Sequence, residues 1–537
     1  MAFSKLFSGE LPELTEEIIQ YLRKDFSTLY SCILVNRLWC RLAIPILWED
    51  PFSAPTQNYH CIKIYLHFLN ENSKAKFNEY EINNDLKFTN TLFNYPSFIK
   101  YLDTNKICNS IVNWIGKCNY KLEDLVYRSL FEVFIENEGN LHSLEVVLPF
   151  TGYRYLNNMK ILQNQNLTCN IRNLTLDFSI IITQNLISFL KFLYSSNCKS
   201  ISSFVIKFYK RNRFINDYLL IEKYISQMII SQNGLKKILF GYYANIYNPF
   251  LSLKNSNCSN TLNTIIFYYI DFKNIVNILQ EIFDQLNVLD SIHILYCDSL
   301  NSDFVQQIIK VIKPFKLISL FIDEILHVES LQLLLEKFGD CLENFGFFFE
   351  NDTEFIEPKQ QLFKFIMKYC KRIRYFGLGL PGDNNIYSII KNNQHNINYL
   401  TIDYNDCIDL SSIVLQNLGQ VLPPKLEYLS LALSFGINDL EIFLKNSQNT
   451  FIKKLLIKNI VLDRNEKTLF CIKKYIMKKE RVKYLAILDI DVYTRDEIEL
   501  FCLKDEVNEF KLHNIIVQSY YTNLYINAYN YIKDNYL

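Results

Sequence analysis

A six-residue pulse, apolar-x-x-apolar-x-apolar, recurs fourteen times between residues 141 and 517, and it constrains the fold more than any other feature. It begins at Leu141-x-x-Leu144-x-Val146. It returns at Ile171-Leu174-Leu176, Ile201-Phe204-Ile206, Leu235-Ile238-Phe240, Leu262-Ile265-Phe267, Leu289-Ile292-Ile294 and Leu317-Leu320-Ile322. It continues at Leu342-Phe345-Phe347, Ile373-Phe376-Leu378, Ile397-Leu400-Ile402, Leu426-Leu429-Leu431, Ile452-Leu455-Ile457, Val482-Leu485-Ile487 and, more weakly, Leu512-Ile515-Val517. The first positions run from 141 to 512, which is 371 residues over thirteen intervals, or about 28.5 residues each. The last two apolar positions are two apart, the spacing of one face of a strand. Between pulses lie helical stripes such as Leu186, Phe189, Leu190 and Leu193, or Leu362, Phe365, Ile366 and Tyr369. One strand-plus-helix unit has too little partner surface to bury its apolar side. The units must therefore stack, which predicts an α/β solenoid with a continuous parallel sheet inside and helices outside.

The x residues of each pulse then face away from the helices, on the concave side. Two groups stand out there. Ile266, Tyr268, Leu295, Phe321 and Phe348 read as an apolar band in the middle of the array. Further on, Tyr375, Tyr399, Tyr428, Lys454 and Tyr484 precede the second apolar position and read as a column on adjacent strands, spaced about 4.8 Å. Two readings of the column are open: a target-binding surface, since rigid aromatics are frequent hot spots, or simple β-propensity in a tyrosine-rich chain.

Charge and composition narrow the classes of function. Lys plus Arg and Asp plus Glu number 56 each, so no net field draws nucleic acid or a membrane surface to the chain. The expected partner is another protein. At 49% hydrophobic residues the chain is not disordered, and at 537 residues it exceeds one compact core. The first residues lack the apolar stretch of a signal peptide, and no run reaches the ~18 apolar residues of a membrane span. A cytoplasmic or nuclear location is expected. The fourteen cysteines are dispersed without a C-x-x-C pair and read as reduced core thiols. Cys169, Cys198, Cys341 and Cys370 fall one to three residues before a pulse, where a small hydrophobe fits a helix-to-strand corner.

The stretch Leu11 to Trp48 is unlike the rest. Pro12 suits a first helical turn, Glu13, Glu16 and Glu17 favour a helix start, and Leu14, Ile18, Tyr21 and Leu22 recur at helical spacing. A second apolar run follows the cap-like Ser27-Thr28 and carries Leu29, Ile33, Leu34, Leu38 and Leu42, with Trp39 and Trp48 as large anchors. About 40 residues bury too little surface to stand alone, so the stretch either docks a partner or caps the array.

This segment resembles an F-box through Leu11-Pro12, the Leu14, Ile18, Ile19 and Leu22 stripe, and Leu34-Val35-Asn36-Arg37-Leu38-Trp39 ending at Leu47-Trp48. The usual Leu-Pro-x-Glu-Leu opening is one residue tighter here, as Leu11-Pro12-Glu13-Leu14. The resemblance implies docking onto a Skp-type adaptor, and through it a cullin-RING ubiquitin ligase, by Leu11, Pro12, Leu14, Ile18, Ile19, Leu22, Leu34, Val35, Leu38, Trp39 and Trp48. The repeat length lies within the roughly 20 to 29 residues of leucine-rich repeats. The whole chain is thus similar to the leucine-rich-repeat class of F-box proteins found in expanded form in fungi. That class implies a small all-α module at 1–50, a helical linker and solenoid cap at 51–140, and a leucine-rich-repeat horseshoe of about 14 repeats at 141–537 whose arc holds the target protein.

Catalytic chemistry finds no foothold. The seven histidines are scattered; only His60-Cys61 with His67 clusters, and that spacing matches no familiar zinc pattern. No phosphate-binding, dinucleotide or nucleophile-elbow motif occurs, and Gly377-Leu378-Gly379-Leu380-Pro381-Gly382 reads as a tight strand edge. The chain is expected to be no enzyme and to need no metal or cofactor. The expected function is substrate recognition for a ubiquitin ligase in ubiquitin-dependent protein degradation. The alternative is a non-catalytic leucine-rich-repeat scaffold or regulator not coupled to ubiquitination.

Overall fold

Thirteen of the fourteen pulses become strands of four to eleven residues in the computed structural model, and the weakest, Leu512-Ile515-Val517, keeps only a two-residue strand, with Leu512 exposed at the end of a helix. The structure describes residues 11–23, 25–53, 59–80, 91–116, 119–148, 162–178, 184–196, 198–208, 215–242, 246–255, 257–323, 328–347, 356–379, 385–404, 408–461, 467–479, 481–491, 494 and 496–537. The chain divides into two units, residues 1–262 with 286–288 and residues 263–285 with 289–537.

The first unit opens with three short helices, α1 (Pro12–Tyr21), α2 (Phe26–Ile33) and α3 (Arg37–Leu47). The second apolar run is therefore two helices. Asp25, not Ser27-Thr28, caps α2 by accepting from the Thr28 N–H at 3.0 Å. Asn36 starts α3 in the same way, accepting from the Trp39 N–H at 3.0 Å, so the chain turns at Leu34 and Val35. Five parallel strands follow, β1 (Tyr101–Asp103), β2 (Ser143–Leu148), β3 (Asn173–Phe178), β4 (Ser203–Phe208) and β5 (Lys237–Gly241). β1 lies inside the stretch expected to be helical linker. Three residues, Tyr-Leu-Asp, are too few to show a pulse, yet they pair in register with Ser143–Glu145.

The second unit holds β6 (Thr264–Tyr268), β7 (Ser291–Leu295), β8 (Lys316–Ile322), β9 (Asn344–Phe347), β10 (Tyr375–Leu378), β11 (Tyr399–Tyr404), β12 (Lys425–Leu433), β13 (Phe451–Val461) and β14 (Val482–Asp491), all parallel. Two short strands share the far edge of β14. β15 (Glu497–Glu499) pairs antiparallel with Leu488–Ile490, and β16 (Ile516–Val517) pairs parallel with Tyr484 and Leu485. Helices connect the strands, so each unit is an α/β fold with a mostly parallel sheet, an arrangement compatible with a solenoid.

A repeated backbone staple sets the stacking. The two N–H groups at a strand start donate to one carbonyl of the preceding repeat: Arg172 and Asn173 to His142, Ser202 and Ser203 to Arg172, Asn398 and Tyr399 to Arg374, Glu427 and Tyr428 to Asn398. At two helix-to-strand corners a buried amide fills the gap. The Gln232 side chain bridges the Ile201 N–H and the Cys198 carbonyl, and Asn393 bridges the Ile373 N–H and the Cys370 carbonyl. Cys198 and Cys370 are buried there, as expected of corner hydrophobes, and burial pushes both thiols up to about 12, keeping them protonated and unreactive. Cys169 and Cys341 are half-buried. None of the described helices is long and apolar enough to cross a membrane.

Candidate docking surface and inner-face cavity

The three-helix module closes a core of its own with Ile19, Leu29, Cys32, Trp39, Ala43 and Ile46, against which Leu22, Ile33, Leu42 and Leu47 pack. Of the residues expected to dock an adaptor, Ile19 and Trp39 are thus interior. Ile18, Leu22, Leu38 and Trp48 are half-buried, and Leu11, Pro12, Leu14, Leu34 and Val35 are exposed. Leu34, at the corner between α2 and α3, keeps 78% of its surface in water, and Leu14 keeps 46%. Burying one leucine is worth roughly 1.5–3 kcal/mol, so these side chains are an unspent source of affinity.

Trp48 turns the other way, toward Tyr95 at 4.3 Å and edge-on to Tyr65 at 5.3 Å. Next to it, buried Glu49 pairs with Arg23 Nε at 3.0 Å and with Lys100. Its carbonyl accepts from the Lys100 and Tyr101 N–H groups at 3.0 and 3.1 Å. That is the staple of the repeats, so the carbonyl ladder of this unit begins at the end of the helical module.

In the second unit the inner-face residues form two rows. The first is Ile266, His293, Ser319, Asn344, Tyr375, Tyr399, Tyr428, Lys454, Tyr484 and Ile516, each opposite the next. The tyrosine column is real: the rings of Tyr375 and Tyr399 stack at 6.2 Å and those of Tyr399 and Tyr428 at 5.8 Å. The second row is Tyr268, Leu295, Phe321, Gly346, Gly377, Thr401, Ser430, Leu456 and Ala486. Ile266 therefore belongs to a different row from Tyr268, Leu295 and Phe321, and Phe348 lies outside the described residues. Glycine is needed at 346 because a Cβ there would stand 2.6 Å from the Phe321 ring.

This face is not open to solvent, as the sequence suggested. Residues 520–536 run back across it. Tyr520 and Leu524 pack with Tyr428, Leu456, Ala486 and Leu488, partly covering Tyr399 and Tyr484. The Ile526 N–H donates to Tyr428 Oη at 3.0 Å. In the C-terminal helix Ala528–Tyr536, Tyr531 sits 4.8 Å from Tyr375 and 4.6 Å from Tyr399, and Tyr529 stacks on Tyr268 at 4.5 Å. Tyr536 lies 4.3 Å from His293, and the Asn344 amide donates to its hydroxyl at 3.1 Å. As a result Tyr375 is 1% exposed and Tyr428 0%; Ile266, Leu295 and Phe321 are buried, and Tyr399, Tyr484 and Tyr268 half-buried. Burial raises the Tyr375, Tyr428 and Tyr531 phenols above their ordinary range.

Where the second row shrinks to glycine, threonine and serine, the tail does not fill the trough. A cavity of about 440 Å³ remains, walled on the sheet side by Tyr268, Tyr269, Tyr296, Asp323, Tyr375, Thr401, Asp403 and Ser430 and on the tail side by Tyr525 to Tyr529. Tyr269 and Tyr296 hold the same place, just after β6 and β7, with a left-handed backbone at φ 52° in both, rare for a bulky side chain. Their rings stack at 5.2 Å. The sequence expectation included Tyr268 and Tyr375 but missed the others. The signal was there in the repeated Tyr269-x-Asp271 and Tyr296-x-Asp298.

Among the described residues no three His, Cys, Asp or Glu side chains gather in a way that would hold a metal ion. Comparison with the models of known protein families returns no match, and comparison with curated proteins returns none either.

Proposed function

We propose that the chain is the substrate-recognition subunit of a Skp-cullin-F-box type ubiquitin ligase, with α1 to α3 as its F-box and the strand-helix repeats as leucine-rich repeats. One observation supports this most: the module buries its own core with Ile19, Leu29, Trp39 and Ile46 yet leaves Leu11, Leu14, Leu34 and Val35 in water. Those four match F-box positions. The adaptor would cover them, a target would meet the repeats and the tail that lines them, and other subunits would transfer ubiquitin. The chain then supplies proximity and no bond-making chemistry, in the cytoplasm or nucleus.

The staple at Glu49 favours a second reading, in which the helices only cap a leucine-rich-repeat scaffold. Co-expression of the full chain with a Skp-type adaptor separates the two. The intact protein should co-purify with the adaptor. Leu34→Asp with Val35→Asp should reduce capture more than tenfold without moving the thermal midpoint, because neither side chain supports the core. Equal capture by this variant, or none by the intact chain, would overturn the ligase reading in favour of the cap.

A further inference from the structure

We infer that the edge of the second unit at which β10 to β14 begin is a docking surface for an extended acidic segment of another protein, its carboxylates lying across Arg372, Lys425, Lys454 and Lys483. In the stretches that lead into these strands, residues 370–375, 393–399, 422–428, 447–454 and 476–484, the sequence places ten lysines and arginines and two carboxylates, Glu427 and Glu480. The fold itself uses half of the cations. Arg374 pairs with Glu343 at 3.5 Å and Lys453 with Glu427 at 2.8 Å. Buried Arg481 donates to the Leu444 carbonyl at 3.3 Å and Lys371 to the Met367 carbonyl, near the ends of the helices Ile437–Asn446 and Ile356–Tyr369, where a cation offsets the helix dipole. Lys479 donates to Gln448. Glu480 and the Lys478 side chain lie outside the described residues. That leaves Arg372, Lys425, Lys454 and Lys483, none of which makes a hydrogen bond or ion pair with a described residue.

The four form an array. Arg372 and Lys425 each stand one residue before the first apolar position of their pulse, and Lys454 and Lys483 continue the row on β13 and β14. Arg372, Lys425 and Lys483 are exposed and Lys454 is half-buried. From β10 to β14 is four spacings of about 4.8 Å, or about 19 Å, the length of about six extended residues. The cations also crowd one another. The pairs Ile452–Val482 and Lys454–Tyr484 set Lys453 opposite Lys483, and like charges so placed repel. Burial first, and then Lys453, holds the Lys454 ammonium below its ordinary range, and the fields of Glu427 and Asp534 oppose that without reversing it. Stability gains nothing from such crowding, whereas an acidic partner relieves it. Carboxylates suit this edge better than phosphate. Helices end here, so their last carbonyls face the edge, and phosphate sites are built on the N–H groups of helix starts. A nucleic acid would bring the same phosphates. Calling the partner the target of the ligase rests on the proposed function; the docking itself does not.

The test is fluorescence anisotropy of the full chain with four labelled probes: a peptide of ten glutamates, its ten-glutamine counterpart, a glutamine peptide carrying five phosphoserines, and an oligonucleotide of ten thymidylates. At about 50 mM salt the glutamate peptide should bind and the glutamine peptide should not, with at least a tenfold loss at about 300 mM. Arg372→Gln with Lys425→Gln and Lys483→Gln should weaken the glutamate peptide at least tenfold. The same loss of three charges at exposed Lys121, Lys191 and Lys223 of the first unit should change it less than twofold. Should the first variant misfold, carbodiimide coupling on the intact chain decides: the peptide carboxylates should join Lys425, Lys454 or Lys483, and coupling elsewhere overturns the inference. Failure of the glutamate peptide to bind at millimolar concentration, or an equal loss in both triple variants, overturns it as well. Tighter binding of the phosphoserine peptide or of the oligonucleotide assigns the edge to phosphate and likewise overturns it. Leu34→Asp with Val35→Asp, which removes adaptor docking, should bind the glutamate peptide as the intact chain does, so the two readings fail separately.

Discussion

The helical module and the inner face of the second unit treat exposed apolar surface in opposite ways. In the module Leu34 stays largely, and Leu14 about half, in water although a core lies a few residues away. On the inner face Tyr375 and Tyr428 occupy positions that a bare repeat would expose, and the chain covers them with its own residues 520–536. A face the protein seals itself needs no partner for stability. A face it leaves wet is the better candidate for one. The contrast moves the expected interaction surface away from the tyrosine column, toward the module on one side and the outer surface of the tail on the other.

The largest effects should come from deleting an anchor on each side. Trp39→Ala empties the centre of a six-residue core, and large aromatic truncations of this kind cost about 3–5 kcal/mol. That exceeds what a module of this size holds, so residues 12–47 should exchange their amides freely and adaptor capture should vanish. Tyr531→Ala removes the ring between Tyr375 and Tyr399 and should cost about 3 kcal/mol, read as faster exchange of residues 520–536. The two losses should stay local. If Trp39→Ala also loosens the tail, or Tyr531→Ala the module, the two regions are not independent and the contrast fails.

Covering a group does not always satisfy it, and Asp489 on β14 shows this. Burial pushes its carboxyl up to about 6 from the ordinary 3.8, and its buried Oδ1 has no hydrogen-bond partner among the described residues. The sign follows from linkage. Below pH 4 both folded and unfolded states are protonated there and nothing is lost. From about pH 4 to 6 only the unfolded chain ionises, so stability falls as pH rises, and above 6 the full cost is present. Asp489→Asn should therefore change stability at pH 4 little and raise it at pH 7 by about 3 kcal/mol, seen as a higher urea midpoint mainly at the higher pH. A gain of the same size at both pH values would mean that packing, not charge, is the cause.

The strand positions were legible because the pulse is local, with Leu429 and Leu431 on β12 facing the helices wherever the chain ends up. The register of Tyr375, Tyr399 and Tyr428 was legible for the same reason. Three things were not. β1 and β15 are three residues each, and Glu497-Ile498-Glu499 carries charge where a pulse would be apolar. The division of the second apolar run depended on one Asn36 cap. The tail was hidden because its contacts join residues almost a hundred apart or more, such as Ile526 with Tyr428 and Tyr536 with Asn344. Nothing in the pattern of Ala528–Tyr536 separates it from the helix of one more repeat. The cavity depends on that tail, so Asp323 and Asp403 could not be joined from sequence.

The smallest change sharpens the contrast most. Tyr428→Phe keeps the ring in the column and removes only the oxygen that accepts the Ile526 N–H at 3.0 Å. A part-buried N–H left without its acceptor costs about 1 kcal/mol, which is roughly a fivefold rise in local opening. Hydrogen exchange at Ile526 and its neighbours should quicken by that factor, while the strands beneath, held by the sheet ladder, should not change. Tyr30→Phe is the matching change in the module, on a side chain 64% exposed, and should alter neither stability nor exchange. If both substitutions were silent, the tail would be held by packing of Tyr520, Leu524 and Tyr531 alone, and the Tyr428 hydroxyl would only be accommodated beneath it.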